Sequence, residues 1–184
     1  MIRTRDDYKS YLAEDKVSLN VKPGLKAWLF DDIWKYQRQL RRTEYYSNKL
    51  GFFWKLVAVL HLIRLRKIGR TLGFSIPINV FGPGLSLAHA GTVVVNSNCK
   101  IGTNCRVHVC VNIGADISNG KLAPRLGNNC YIGPGVKMYG DISIGNNVVI
   151  GANSVVNRSF PDNVTIVGVP AKVISHKGRT EYRS

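Results

Sequence analysis

Two of the four histidines in this 184-residue chain stand where acid–base chemistry is possible. His89 closes the run Gly84-Leu85-Ser86-Leu87-Ala88-His89, and His108 follows nineteen positions later. Imidazole as a class titrates near neutral pH, so either ring could take a proton from a substrate hydroxyl. No Asp or Glu occurs between Glu44 and Asp116. The partner that orients His89 must then be a backbone carbonyl, an amide such as Asn79, or Asp116 brought across in space or from another subunit. Asn79 and Asn112 are candidates for substrate binding. The bland alternatives are a corner-bonded His89 and a solvated His108. His61, on an apolar stretch, reads as a packing residue, and His176 as idle. No Gly-x-Ser-x-Gly elbow is present, which argues against an acyl-enzyme. No His/Cys cluster has zinc-site spacing, so no metal is expected.

The elements that must position these residues show as a period of six. It is clearest in Ile101-Gly102-Thr103-Asn104-Cys105-Arg106, in Ile132-Gly133-Pro134-Gly135-Val136-Lys137 and from Ile144 to Val155. An aliphatic residue recurs at every sixth place, a Gly or small polar residue follows it, and Val, Cys or Ser stands four places on. That period is neither helical nor that of a simple strand; it is the hexapeptide signature of a parallel β-helix with three short strands per turn. The aliphatic and small positions point inward and stack coil on coil, while Gly and Asn serve corners that need positive φ. With a coil of eighteen residues, His108 lies one strand spacing (~5 Å) from His89.

Residues 1–73 have a different character and read as helical: a first helix from Asp6 to Glu14, a break at Pro23-Gly24, a second helix from Ala27 to about Tyr46, and a third from Phe52 to about Leu72. Pro77 and the β-branched residues around it start the repeat, which fills 74–174. Residues 116–124 are out of phase and form a loop thrown out of the prism. The polar tail, 175–184, is expected to fray. The open ends of the coil need covering, and the helices can cap one of them.

Net charge is +15. Sixteen Lys/Arg against seven Asp/Glu fall in residues 1–73, and ten against four in the rest. Such basicity calls for an anionic partner: a phosphorylated co-substrate, a nucleotide-linked substrate or an anionic membrane surface. No nucleic-acid motif is present, so nucleic acid is not expected as a partner. The charged N-terminus lacks the apolar region of a signal peptide. The stretch 52–65 is too short and too charged to span a bilayer. Three cysteines (Cys99, Cys105, Cys130) occupy the small slot of the repeat, and buried free thiols fit a reducing cytoplasm.

The segment ending in His89-Ala90, the run Cys110-Val111-Asn112-Ile113-Gly114 at its spacing, Ile150 to Val156, and the close Val167-Gly168-Val169-Pro170-Ala171-Lys172 resemble hexapeptide acyltransferases of the serine acetyltransferase group. The resemblance covers about residues 76–174. It implies a mainly β fold, a left-handed parallel β-helix with an N-terminal α-helical cap, against the usual right-handed rule. It also implies a homotrimer with acetyl-CoA, the co-substrate, in the groove between prisms. By position, His89 would be the general base of direct acyl transfer, and His108 would bind the acceptor or support the thioester oxygen. Gly114 and Ala115 would meet the pantetheine arm, with Pro134, Gly151 and Ala152 lining the same groove. Lys172, and Arg158 with it, would face the nucleotide phosphates.

Departures from the group concern the acceptor. Ala88 stands where the group has Asp, Leu122-Ala123 where it has an Arg-His pair, and the helical part is shorter. An α-amino acid needs charged partners. The sequence therefore points to the branch that acetylates sugar hydroxyls of surface polysaccharides, which the runs 76–89 and 106–114 also resemble. L-serine and a non-catalytic hexapeptide scaffold are the rivals. The basic helix 52–72 suggests contact with a membrane, at its inner face, or with a lipid-linked glycan; packing on the prism end is the alternative.

Overall fold

The computed structural model describes residues 1–180, with helices first and a β-helical prism after them. Four helices come first: α1 (Arg5–Ser18), α2 (Leu25–Phe30), α3 (Asp32–Ser47) and α4 (Phe52–Leu72). The first runs further than Asp6–Glu14 because a capping box starts it, with Thr4 Oγ1 accepting from Asp7 N–H and Asp7 accepting from Thr4 N–H. The single helix expected over Ala27–Tyr46 is two, because Asp31 turns extended and its carboxylate caps α3 through Trp34 N–H at 2.9 Å. Among the described residues no helix is long and apolar enough to cross a membrane.

The rest is a three-faced parallel β-helix. The first face stacks Phe74–Ser75, Val93–Val95, Val111–Gly114, Lys137–Tyr139 and Val155–Val156. The second stacks Lys100–Ile101, Arg125–Leu126 and Ser143–Ile144, extended by single bridges from Phe81 and Phe160. The third stacks Ser86–Leu87, Arg106–Val107, Tyr131–Ile132, Val149–Ile150 and Thr165–Gly168. Its inward column of Leu87, Val107, Ile132, Ile150 and Ile166 is in register and buried. Neighbouring columns therefore touch coil on coil, and apolar area removed from water supplies the main driving force.

Coil corners need left-handed backbone, and Asn supplies it at Asn104, Asn129, Asn147 and Asn163. Their side chains also form a ladder: Asn129 donates to Asn147 and Asn147 to Asn163, each at 2.8 Å. Gly102 is required by close approach instead; a Cβ there would lie 2.6 Å from Gly127 O. Residues 116–122 lie off the strands, held by the Asp116 carboxylate on the Ser118 and Asn119 N–H groups and by Asn98 on Gly120 O, and Ala123 returns to the core.

The first coil begins with backbone groups that have no strand beneath them, and the helices satisfy these with buried side chains. Arg41, fully buried, donates to Asp15 and Glu44 and to the carbonyls of Phe81 (3.0 Å) and Gly82 (2.6 Å). Asp15 accepts from Leu85 N–H and Glu44 from Asn79 N–H. Gln37 receives Leu87 N–H and donates to Leu85 O. Burial alone would lower the Arg41 pKa; the carboxylates of Glu44 and Asp15 outweigh it and raise it.

Of the tail expected to fray, residues 175–180 are described and anchored, and 181–184 lie outside the described residues. Ala171–Ser175 returns antiparallel on the third face. Arg179 then donates its backbone N–H to Asn147 O (2.8 Å) and its guanidinium to Asn104 O (2.7 Å) and Cys130 O (3.1 Å). One residue thus bonds corner carbonyls of three coils, adding a second donor at Cys130 O, which already accepts from Arg106 N–H.

Candidate active site

His89 sits exposed at the corner where the third face turns into the first, just past the strand Ser86–Leu87. One coil on, His108 follows the strand Arg106–Val107, and the two rings lie 6.2 Å apart. The coil ladder sets this pairing through Ala88 N–H on Val107 O (2.9 Å) and His108 N–H on Ile132 O (3.1 Å). Tyr131 of the third coil packs its ring 4.9 Å from His108.

Arg106 completes the cluster. Its Nε donates to His108 Nε2 at 3.4 Å, and its Nη1 donates to Ser86 Oγ at 3.1 Å. Arginine offers no acceptor, so His108 Nε2 accepts and the ring proton sits on Nδ1. Burial, then Arg106, then His89 lower the His108 pKa, which keeps that ring neutral. Ser86, Arg106 and Tyr131 share one register on the outward side of the third face. Sequence reasoning passed over Arg106; its signal was the outward place directly before an inward aliphatic, two residues from His108.

Asn79 is not at this site. Its backbone N–H goes to Glu44, and its side chain exchanges two 2.9 Å bonds with Asn48, so it belongs to the cap. That corrects its assignment as a substrate group and as the partner of His89. The Asp116 carboxylate of the same chain is engaged within its loop. Among the described residues the His89 ring has no hydrogen-bond partner. Asn112 is exposed on the first face, in register with Val94 and Lys137, with no bond to the histidine pair. Gly114 ends the strand Val111–Gly114, where it pairs with Tyr139, and Ala115 follows it. Pro134 lies on the histidine corner, joined to the next coil by Asn153 N–H on its carbonyl (2.8 Å); Gly151 and Ala152 precede Asn153 there. Arg158 donates to Ala171 O at 3.1 Å, beside Lys172, so both cations reach the C-terminal end of the prism. His61 stacks on Tyr46 at 4.8 Å, as a packing residue does. Cys99, Cys105 and Cys130 are buried free thiols, and burial raises Cys99 to about 11. Among the described residues no group of side chains is arranged to hold a metal.

α4 packs on α3 and on residues 74–75, burying Ala58, Leu65 and Gly69, while Phe52, Phe53, Leu56 and Leu60 stay exposed.

The chain is similar to known transferases. Residues 123–158 match the bacterial transferase hexapeptide family (six repeats). A serine acetyltransferase of Staphylococcus aureus (strain Mu50) is 39% identical over 178 residues, covering 96% of this chain and 79% of the relative. One of Staphylococcus epidermidis (strain RP62A) is 31% identical over 179 residues, covering 96% and 80%. A third, of Synechococcus elongatus, is 40% identical over 98 residues, which is 53% of this chain and 40% of the relative's length. The crystal structure of serine acetyltransferase from Brucella abortus superposes with a TM-score of 0.75 at 25% identity, over 95% of this chain and 72% of that one.

These matches overturn the saccharide acceptor and the polysaccharide branch. The departures at Ala88 and Leu122-Ala123 are local, whereas the similarity runs through helices and prism alike. The fold is the left-handed parallel β-helix of these enzymes, and this acyltransferase chain belongs to the serine acetyltransferase family.

Proposed function

We propose that the protein transfers the acetyl group of acetyl-CoA to the hydroxyl of L-serine, giving O-acetylserine. The observation that carries this reading is the cluster of His89, His108 and Arg106 on adjacent coils. His89 takes the hydroxyl proton as the serine oxygen attacks the thioester carbonyl. The tetrahedral centre collapses, the C–S bond breaks, and the proton passes to the leaving CoA sulfur. Neutral His108 can donate its Nδ1–H to the developing oxyanion.

Serine needs a cation for its carboxylate. Ala88, Leu122 and Ala123 carry no charge, so Arg106, the cation beside the histidines, takes that role. This answers the objection for the carboxylate. The family relatives support both substrates: solved serine acetyltransferases include a Brucella abortus complex with coenzyme A and a soybean complex with serine.

Acetyl-CoA would run along the corner past Pro134, Gly151 and Ala152, with Gly114 and Ala115 at its pantetheine arm and its phosphates toward Arg158 and Lys172. The small residues present suit close backbone approach, and the two cations suit phosphate. A homotrimer would close this groove and bring a neighbour's groups, Asp116 or Asn112 among them, to the exposed His89. Buried free thiols fit a cytoplasmic setting.

The test is CoA release from acetyl-CoA with L-serine, wild type beside His89→Ala. Serine-dependent release that disappears in the variant, with its thermal unfolding unchanged, supports the reading. Absence of serine-dependent release, or release indifferent to His89, overturns it.

A further inference from the structure

The helical cap carries a second cleft, away from the histidine corner. A cavity of about 470 Å³ is lined by Arg5 and Tyr8 of α1, Arg42, Tyr45 and Tyr46 of α3, and His61 of α4. Every lining side chain is cationic or aromatic. The rings form an ordered wall: Tyr8 stacks on Tyr45 at 5.4 Å, and Tyr46 stacks on His61 at 4.8 Å and on Trp54 at 5.6 Å. The Gln39 amide donates to His61 Nδ1 at 3.1 Å, which leaves the ring hydrogen on Nε2.

The charges here are unbalanced. Neither Arg5 nor Arg42 has an ion pair or a side-chain hydrogen bond among the described residues. The nearest acids of α1 are already engaged, Asp6 with Lys9 and Asp7 with the Thr4 and Arg3 N–H groups. Arg38 and Arg64 add to the crowding: burial, then Arg42, lowers the Arg38 pKa, and Arg64 contributes in the same direction, with Tyr8 and Asp31 opposing. His61 is lowered in the same way by burial, Arg42 and Arg64. Like charges held together without a counter-charge raise the local potential and cost Coulomb energy that a bound anion would relieve. Guanidinium groups match phosphate oxygens in a bidentate fork, and an aromatic wall accepts a planar ring or an acyl-chain edge.

We infer that this cleft is a phosphoryl-anion site, taking the phosphate of a free nucleotide or diphosphate, or that of an anionic lipid headgroup. Nothing in it depends on which acceptor the His89 corner uses. The exposed apolar residues Trp28 of α2 and Phe52, Phe53 and Leu56 of α4 belong to the same cap and would contact the interface in the lipid case.

The test uses the full chain without CoA, whose own diphosphate is a ligand of the class proposed, and repeats each probe on an Arg158→Gln/Lys172→Gln background so that the groove proposed for acetyl-CoA is discounted. Calorimetry with inorganic diphosphate and with ATP forms one arm. Co-sedimentation with phosphatidylglycerol-containing vesicles, against pure phosphatidylcholine, forms the other. Wild type stands beside the Arg5→Gln/Arg42→Gln double variant and Tyr45→Phe. Binding of diphosphate or ATP that falls about tenfold or more in the double variant, with unchanged thermal unfolding and near-normal binding in Tyr45→Phe, assigns a soluble ligand. Binding confined to anionic vesicles and lost in the double variant assigns the lipid headgroup. Absence of binding in both arms, or binding that the double variant leaves intact, overturns the inference.

Discussion

Arg41→Met should destabilise the whole chain, and the structure sets the size of the effect. Arg41 is fully buried and directs five hydrogen bonds to Asp15, Glu44, Phe81 O and Gly82 O. Methionine fills most of its volume but supplies no donor. Two buried carboxylates are left facing each other and two coil carbonyls are orphaned. Removing one partner of a buried ion pair costs about 3–5 kcal/mol. At ~2–4 °C per kcal/mol for a domain of this size, Tm should fall by roughly 6–20 °C. The assay is thermal unfolding followed by circular dichroism at pH 7.5. A triple variant, Asp15→Leu/Arg41→Met/Glu44→Leu, sharpens it. Replacing an isolated buried ion pair by apolar residues is often neutral. Here the amides of Leu85 and Asn79 lose their acceptors, at ~1–3 kcal/mol each, so the triple variant should stay well below wild type. A single-variant shift under ~2 °C, or full recovery in the triple variant, would refute the view that these charges terminate the first coil.

Arg106→Gln should raise KM for L-serine roughly 10- to 100-fold, the range of a lost charge-assisted bond, and leave KM for acetyl-CoA unchanged; steady-state kinetics with Arg106→Lys as partial rescue checks it. Stability should fall between pH 7.5 and 5.5. His61 and His108 both have lowered pKa values, so the unfolded chain takes up protons first as pH drops through about 6.5. Tm against pH for wild type and His108→Gln measures this, and the variant should show the shallower fall. Gly135→Ala should cost about 1–3 kcal/mol, because φ is +77° and the new methyl would run into the Asn153 side chain; urea unfolding reads it directly.

The prism was legible because its signal is local and repeated: the inward residues Ile132, Met138, Ile144, Ile150 and Val156 recur at every sixth place as the chain passes from face to face. α4 was legible from its uninterrupted apolar spacing between Gly51 and Gly73. The break at Asp31 was hidden because helical spacing continues across it, and only the side-chain cap reveals the new start. The docking of the tail and the role of Asn79 depend on partners dozens of residues away, which no window along the chain displays. The adjacency of His89 and His108 was legible from the coil length. Arg106 was missed because an outward arginine on a β-helix looks like any solvated charge until its neighbours are known. The acceptor was misjudged by weighing three substituted positions above similarity that runs through nearly the whole chain.

In a stack where each coil touches only its neighbours, the terminal coil can melt while the rest stays folded, as in any one-dimensional array. Arg179 removes that freedom. It clasps carbonyls of three successive coils at residues 104, 130 and 147, so the last coil cannot peel away without breaking bonds two and three layers beneath it. Amide exchange across those layers then proceeds by one concerted opening, and the prism unravels as a single cooperative unit.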